Sequence, residues 1–416
     1  MGRISAEWLQ LPVLQDLFTA LNCDGHEARV VGGAVRDYLL GLPVNEIDFA
    51  ATSKPPETTR LIEAAGFKAV PTGEDHGTVT AVRDGRSFEI TTLRRDVKTD
   101  GRHAEVEFGT DWEEDATRRD FTINALYVDA DGEMHDPLGV RQDVEDRQVR
   151  FIGDAGTRIA EDYLRILRFF RFFARFGSGR PDADGLKACA RLKSGLTGLS
   201  VERIWQEVSK LLVTRDPGRA ILWMRTTGVL TAVVPESENW GIDLIAPLLR
   251  AELEQGWEID LTTRLAAMLP PQKERVEAFA SRLKISNRAQ TNLMDWLEAK
   301  EIFDAADTPR LRKALYLGSA DGQIVKGKLE YARRQLPDAK QRGGLSDEDL
   351  LTAIDYARTW QRPGLPVAGR DLLELGFAPG PGIGEELTRL SQIWIESDFT
   401  LTNDELLAKI SSSSGE

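Results

Sequence analysis

Two acids and a small set of arginines carry the chemistry that can be read in this chain. Glu46 and Asp48 stand two residues apart in a short run after Pro43 that reads as extended. At i and i+2 on a strand, both carboxylates point to one face. Held side by side they repel unless a cation bridges them, and Mg²⁺ with a nucleoside triphosphate suits such a pair. Ahead of them, Gly32-Gly33 cuts off the apolar run Ala28–Val31 and opens a helical pattern through Val35, Leu39 and Leu40. Paired glycines between a strand and a helix let backbone N–H groups approach a phosphate, and the helix dipole favours the same anion. Arg36, in the first turn, is placed for the triphosphate. Taken singly, each half also fits a plain glycine turn before an amphipathic helix, with a solvated acid pair after it.

Two later segments carry further candidates. Arg118, Arg119 and Asp120 precede an apolar stretch that contains Asn124. An arginine there can hold phosphate oxygens while Asp120 takes a ribose hydroxyl; the alternative is a surface ion-pair cluster worth less than about 1 kcal/mol. The second segment, E-D-Y-L-R-I-L-R-F-F-R, contains Glu161, Asp162, Arg165, Arg168 and Arg171. On one continuous helix Asp162 and Arg165 share a face, Glu161 pairs with Arg165, and Arg171 lies about half a turn from Asp162. Cytosine and adenine both offer an amino donor beside a ring-nitrogen acceptor. A carboxylate with an arginine therefore fits C and A and leaves U and G with unpaired polar groups. A salt-bridged helix face backed by a phenylalanine stripe is the other reading.

The elements that must position these residues follow from periodicity. Ser5 to Leu21 reads as an amphipathic helix, and Pro55 to Ala65 as another with prolines at its start and Gly66 at its end. Lys68–Pro71, Thr78–Arg83 and Ser87–Leu93 read as strands, the last two joined by an Asp84-Gly85 hairpin turn. Glu89 falls on the last of them, either supporting the metal site from behind its ligands or, more plainly, as an exposed residue of an edge strand. Arg94 to Phe108 is polar and reads as a mobile loop over the site. From Phe151 onward the pattern is helical almost throughout, with Ser200 as an N-cap and Glu202 in the first turn behind it. Trp205, Trp223, Trp240, Trp257 and Trp296 read as core. The expected fold is α+β: a small mixed-sheet head, 1–150, then an elongated all-helical neck (151–215), body (216–330) and tail (331–416).

Composition excludes several classes. The chain has 416 residues, 41% hydrophobic and 29% charged, with a formal charge of −14. That acidity argues against indiscriminate nucleic-acid binding but leaves room for a local basic groove. No apolar run approaches the roughly 20 residues that span a bilayer, so no membrane partner is expected. Two cysteines and no signal-like start point to the cytoplasm. All four histidines lie in the first third and show no zinc spacing.

Read together, V-V-G-G-A-V-R-D-Y-L-L-G-L-P-V-N-E-I-D, R-R-D-F-T-I-N-A, E-D-Y-L-R-I-L-R-F-F-R, S-V-E-R-I and V-A-G-R-D-L-L-E-L-G-F-A-P-G-P-G-I-G-E-E-L resemble, in order, the motifs of the class II tRNA nucleotidyltransferase (CCA-adding) and bacterial poly(A) polymerase family. One position departs from the pattern: Glu46 stands where the family carries Asp. The resemblance implies two-metal transfer of CMP and AMP from CTP and ATP to a tRNA 3′ end, with Mg²⁺ on Glu46 and Asp48. It implies that Gly32, Gly33, Arg36, Arg119 and Asp120 bind the nucleotide, and that Asp162 and Arg165, with Arg168 and Arg171 in the same motif, read the base. S-V-E-R-I would support the template helix, and Gly380, Gly382 and Gly384 would cradle an RNA phosphate. A poly(A) polymerase, an enzyme adding only part of CCA, and a binding protein that has lost transfer through the change at Glu46 are the alternatives. The absence of histidine beyond the first third excludes an appended His-Asp phosphohydrolase domain.

Overall fold

Ala28–Val31 is apolar enough to be buried on both faces, and it forms strand β1 near the middle of the head's sheet. The computed structural model describes residues 2–73, 77–99, 104–300, 308–337 and 346–411. They fall into two compact units, divided at Pro235.

In the first unit, a 3₁₀ turn and helix α1 (Pro12–Leu21) lead into β1, helix α2 (Gly33–Leu39) and β2 (Asp48–Ala51). Pro12 ends the 3₁₀ turn and starts α1, so the expected single helix from Ser5 is two pieces. Helix α3 (Pro55–Ala64) is followed by β3 (Lys68–Gly73), β4 (Thr78–Arg83) and β5 (Arg86–Thr92). Asp84 and Gly85 take φ values of 53° and 72°, the left-handed pair that a two-residue hairpin requires. With β6 (Arg94–Thr99), β7 (Ala104–Phe108), β8 (Tyr127–Val128) and β9 (Met134–His135), the strands make two sheets. The larger runs β3-β4-β5-β2-β1-β8-β9, and β6-β7 pair separately. All neighbours in the larger sheet are antiparallel except β2 and β5, so the sheet is mixed.

Three expectations are corrected here. Most of the expected loop at 94–108 is strand, β6 pairing antiparallel with β7, while 100–103 lie outside the described residues. Glu89 is not on an edge, because β5 lies between β4 and β2 and sets Glu89 opposite Asp48 in parallel register. Glu46 lies just ahead of β2 instead of within it, although burial still alternates from Glu46 through Phe49, exposed then buried.

Helix α4 (Trp112–Thr117) is capped by Asp111, whose carboxylate accepts from the N–H groups of Glu113 and Glu114. Helix α5 (Arg141–Glu145) closes the head, and helices α6 (Ala155–Glu161), α7 (Leu164–Phe176), α8 (Ala183–Leu192), α9 (Val201–Leu212), α10 (Gly218–Thr227) and α11 (Val229–Val233) follow. The helix expected to run through the E-D-Y-L-R segment is broken. Asp162 is extended (φ −153°, ψ 106°) and separates α6 from α7, so Asp162 and Arg165 do not share a helix face. Its Oδ1 accepts from the Leu164 N–H, which makes Asp162 part of the start of α7. Phe169, Phe172 and Phe151 gather round Phe121 with centroids 5.0–6.3 Å apart. This aromatic cluster fixes α7 against the R-R-D-F segment.

The second unit is helical, from α12 (Ile245–Glu254), α13 (Leu261–Ala266), α14 (Lys273–Leu283), α15 (Asn287–Glu298), α16 (Thr308–Leu317), α17 (Ala320–Arg334) and α18 (Asp347–Thr359) to α19 (Gly369–Glu374), α20 (Pro381–Glu396) and α21 (Asn403–Ser411). Trp257 and Trp296 are buried as expected, while Trp205, Trp223 and Trp240 are only half-buried. Arg264 is 1% exposed and paired with Glu252 at 2.6 Å. A charge so deep is tolerated only with its partner in place.

Candidate functional site

The glycine turn, the acids, R-R-D and the E-D-Y-L-R segment line one open cleft of about 630 Å³ in the first unit. Among its walls are Gly32, Gly33, Arg36, Glu46, Asp48, Arg119, Asp120, Asp162, Arg165 and Arg168. Arg171 is the one expected site residue missing from them. It points to Glu207 of α9, at 2.5 Å.

Gly32 has φ 69° and ψ −112°, a conformation that an L residue resists. Arg119 Nη1 and the Asn124 carbonyl are its neighbours, each 3.7 Å from where a Cβ would lie. The turn therefore leaves its backbone open to the cleft. Arg36 is less available than its position suggests. It is 6% exposed, donates to Asp37 Oδ1 at 2.8 Å and to Asn124 Oδ1 at 2.6 Å, and lies 3.8 Å from the Phe176 ring centre. Its geometry ties α2 to α7 and to the R-R-D-F-T-I-N segment.

Asp48 is the electrostatic focus. Burial first, then the Glu89 and Glu46 carboxylates, push its carboxyl up to about 6, against a smaller downward pull from Arg119. Among the described residues no hydrogen bond to Asp48 offsets the repulsion. Such a group attracts a hard cation. Among the described residues no group of three or more His, Cys, Asp or Glu is placed to hold a metal ion, so a cation here would rest on a carboxylate pair and on ligands from substrate and water. Glu46 and Asp48, with Glu89 alongside, would leave coordination positions for substrate phosphate and water, which is how Mg²⁺ is ordinarily held.

The arginines are fixed from behind. Asp115, with a fully buried side chain, spreads its carboxylate between Arg118 and Arg119. Oδ1 accepts from Arg118 Nε at 2.8 Å and Nη2 at 2.6 Å. Oδ2 accepts from Arg119 Nε at 3.2 Å and Nη2 at 2.9 Å, and from the Tyr127 hydroxyl at 2.8 Å. Arg158 of α6 donates to the backbone carbonyls of Arg118 and Arg119, to the second at 2.8 Å.

Asp120 is also committed. Oδ2 accepts from Arg168 Nε and Nη2 at 2.8 and 2.6 Å, and Oδ1 from Asn124 Nδ2 and the Phe121 N–H. Burial pushes its carboxyl up, but Arg168 and these bonds outweigh it and hold it below the usual range. Asp162 Oδ2 accepts from Arg203 of S-V-E-R-I at 2.7 Å. Arg165 donates to Glu161 and, at 2.7 Å, to the Arg158 carbonyl. Ser200 stands at the N-cap of α9, yet its hydroxyl is buried and makes no cap bond.

Sequence reasoning missed Asp115 and Tyr127 and named Arg118 only as half of a basic pair; Glu89, left open between a metal-supporting acid and an exposed edge residue, is exposed but on an interior strand. A lone acid in E-E-D-A-T is indistinguishable from its exposed neighbours until α4 is docked.

Comparisons with known proteins agree with this geometry. Residues 28–150 match the family described as the poly A polymerase head domain. Residues 181–240 match a probable RNA and SrmB-binding site of polymerase A. The chain is 36% identical to the mitochondrial CCA tRNA nucleotidyltransferase 1 of Danio rerio, over 93% of this chain and 88% of that one. It is 32% identical to the CCA-adding enzyme of Streptococcus sanguinis over 95% and 94%. Its fold superposes on the Bacillus stearothermophilus CCA-adding enzyme in complex with CTP with a TM-score of 0.73 at 26% identity, covering 92% of each chain. With the head motifs in one cleft and the likeness running nearly end to end, the chain belongs to the class II CCA-adding tRNA nucleotidyltransferase family.

Proposed function

We propose that this protein adds CMP and AMP, from CTP and ATP, to the 3′ end of tRNA and releases pyrophosphate. The observation that carries the reading is the convergence in one cleft of an open glycine turn, a carboxylate cluster and a paired-arginine wall with Asp162 and Arg165. Glu46 and Asp48 would hold Mg²⁺, with Glu89 beside them. Bound there, the ion supplies charge neutralisation at the α-phosphate and a more acidic attacking hydroxyl. The turn at Gly32 and the Arg119 guanidinium receive phosphate oxygens. Arg36 and Asp120, each held by its partners, shape this wall as well as facing it. The new bond joins the RNA 3′ oxygen to the α-phosphorus while the bond to pyrophosphate breaks.

Base choice rests on Asp162 and Arg165. Each Asp162 oxygen has one observed partner and a lone pair to spare, and Arg165 retains the N–H groups of Nε and Nη2 beyond the Nη1 given to Glu161 and Arg158. The pair can therefore accept from the amine of C or A and donate to the ring nitrogen. Arg168 and Arg171, on the same helix, hold this wall through Asp120 and Glu207. The tRNA body falls to the helical body and tail, 216–330 and 331–416, where Gly380, Gly382 and Gly384 leave an open backbone at the start of α20. Among the described residues no helix is long and apolar enough to cross a membrane. Cys23 and Cys189 are unbridged, which supports a cytoplasmic setting.

Incubation with a tRNA transcript lacking its terminus, with CTP, with ATP and with both, tests the reading. Extension by C, C and A only when both are present supports it. Long A tracts with ATP alone indicate a poly(A) polymerase, partial extension indicates a CC- or A-adding enzyme, and no product with intact nucleotide binding indicates lost transfer.

A further inference from the structure

Asp115 is buried, touches no part of the cleft surface, and holds two successive arginines that do. Its bonds go to the Nε and Nη2 atoms of both guanidinium groups. A guanidinium has two bidentate edges, and Asp115 occupies the same edge on each. The Nη1 side of each is left over. For Arg119 that side faces the open turn, since Nη1 lies 3.7 Å from where a Gly32 Cβ would sit. Arg118 and Arg119 both line the cleft, with side chains only 15% and 17% exposed. One carboxylate shared by two guanidinium groups leaves the group a net charge of +1. Tyr127 locks the arrangement: its hydroxyl donates to Asp115 Oδ2 and accepts from Arg119 Nε at 3.2 Å. Arg158 donates to the backbone carbonyls of the two arginines and so holds their main chain.

We infer that Asp115, seconded by Tyr127, is a positioning residue that presents Arg118 and Arg119 as a paired receptor for the triphosphate of the incoming nucleotide. This rests on the nucleotide reading of the cleft and extends it to three residues outside the base-reading pair. Arg118 becomes a phosphate ligand beside Arg119. The receptor touches what CTP and ATP share, so it sets affinity for both and selects neither. Orientation and charge pull in opposite directions at Asp115. Deleting its charge makes the cleft more positive, which by itself would tighten anion binding. It also frees two long side chains that must then be ordered by the ligand, and charge-assisted bidentate bonds depend on alignment. The alignment effect wins in this reading because the carboxylate engages each guanidinium through two atoms.

Binding of inorganic tripolyphosphate to the full chain in chelator, by calorimetry, tests this without base, RNA or metal. Asp115→Asn is expected to weaken Kd at least tenfold, Arg118→Gln by a similar factor, and Tyr127→Phe by about threefold with the fold intact by circular dichroism. In transfer assays the same variants should raise KM for CTP and ATP in parallel, with the CTP-to-UTP ratio unchanged within twofold. If Asp115→Asn does not fold, the Tyr127→Phe and Arg118→Gln results decide. Unchanged or tighter tripolyphosphate binding in the folded variants, with wild type binding normally, overturns the positioning role. A wild-type chain that binds no tripolyphosphate overturns the nucleotide reading of the cleft and this inference with it.

Discussion

Asp48→Asn should make the head more stable at neutral pH while removing its activity. The wild-type carboxyl is raised from an ordinary 3.8 to about 6 by burial and by Glu89 and Glu46. For an acid raised in the folded state, ionisation is easier in the unfolded chain. Stability is therefore fullest below the unfolded pKa and falls as pH rises through the folded one. At about 1.36 kcal/mol per pKa unit the loss reaches about 3 kcal/mol well above pH 6, and is only about 0.5 kcal/mol at pH 4. Water at the cleft mouth screens part of this, so about 3 kcal/mol is a ceiling. Asparagine keeps the shape and carries no charge, so the variant should gain between about 1 and 3 kcal/mol at pH 8 in chelator, and little at pH 4. Hydrogen exchange at the amides of β1, β2 and β5, measured at each pH for both proteins, reports the head separately from the helical unit. Added Mg²⁺ should reverse the order, because it relieves the wild-type repulsion and finds less to bind in the variant. If Asp48→Asn is neutral or destabilising at pH 8 in chelator, the carboxylate is not stranded among like charges and the metal-site argument fails with it.

Three further outcomes follow from the same geometry. Glu46→Gln should lower transfer at least ~10²-fold, since an amide cannot compensate a cation's charge. Glu46→Asp should keep or raise it, and near-wild-type rates in Glu46→Gln would shift the metal to Asp48 and Glu89. Asp162→Ala should reduce the CTP-to-UTP incorporation ratio roughly ten- to a hundredfold, and a ratio unchanged within twofold would return Asp162 to its ion pair with Arg203. Glu252→Gln removes the carboxylate paired at 2.6 Å with a guanidinium that is 1% exposed, so the helical unit should lose up to about 3–5 kcal/mol in urea unfolding while the head's exchange rates stay the same.

What the sequence determined by itself is local. The run Ala28–Val31, the glycine pair and the apolar spacing after it specify a strand, a turn and a helix, and those form where the pattern puts them. Asp84-Gly85 fixes its hairpin because few residue pairs accept two positive φ angles. The order of motifs sufficed to identify the family. What only the tertiary structure decided is which charges meet. Glu89 stands beside Asp48 because β2 and β5 pair in parallel, a contact between strands that no local periodicity encodes. Asp162 breaks a segment whose pattern reads as one helix, because its side chain bonds to the N–H of Leu164 and to Arg203 from another helix. Arg171 and Arg168 look equivalent in sequence, yet one turns to Glu207 and the other to Asp120. Asp115 reads as one more surface acid until α4 docks and buries it between two arginines. Periodicity tells which side of an element is apolar. It does not tell which charged residue on another element will be close enough to share a proton, an ion or a hydrogen bond, and in this protein that proximity makes the site.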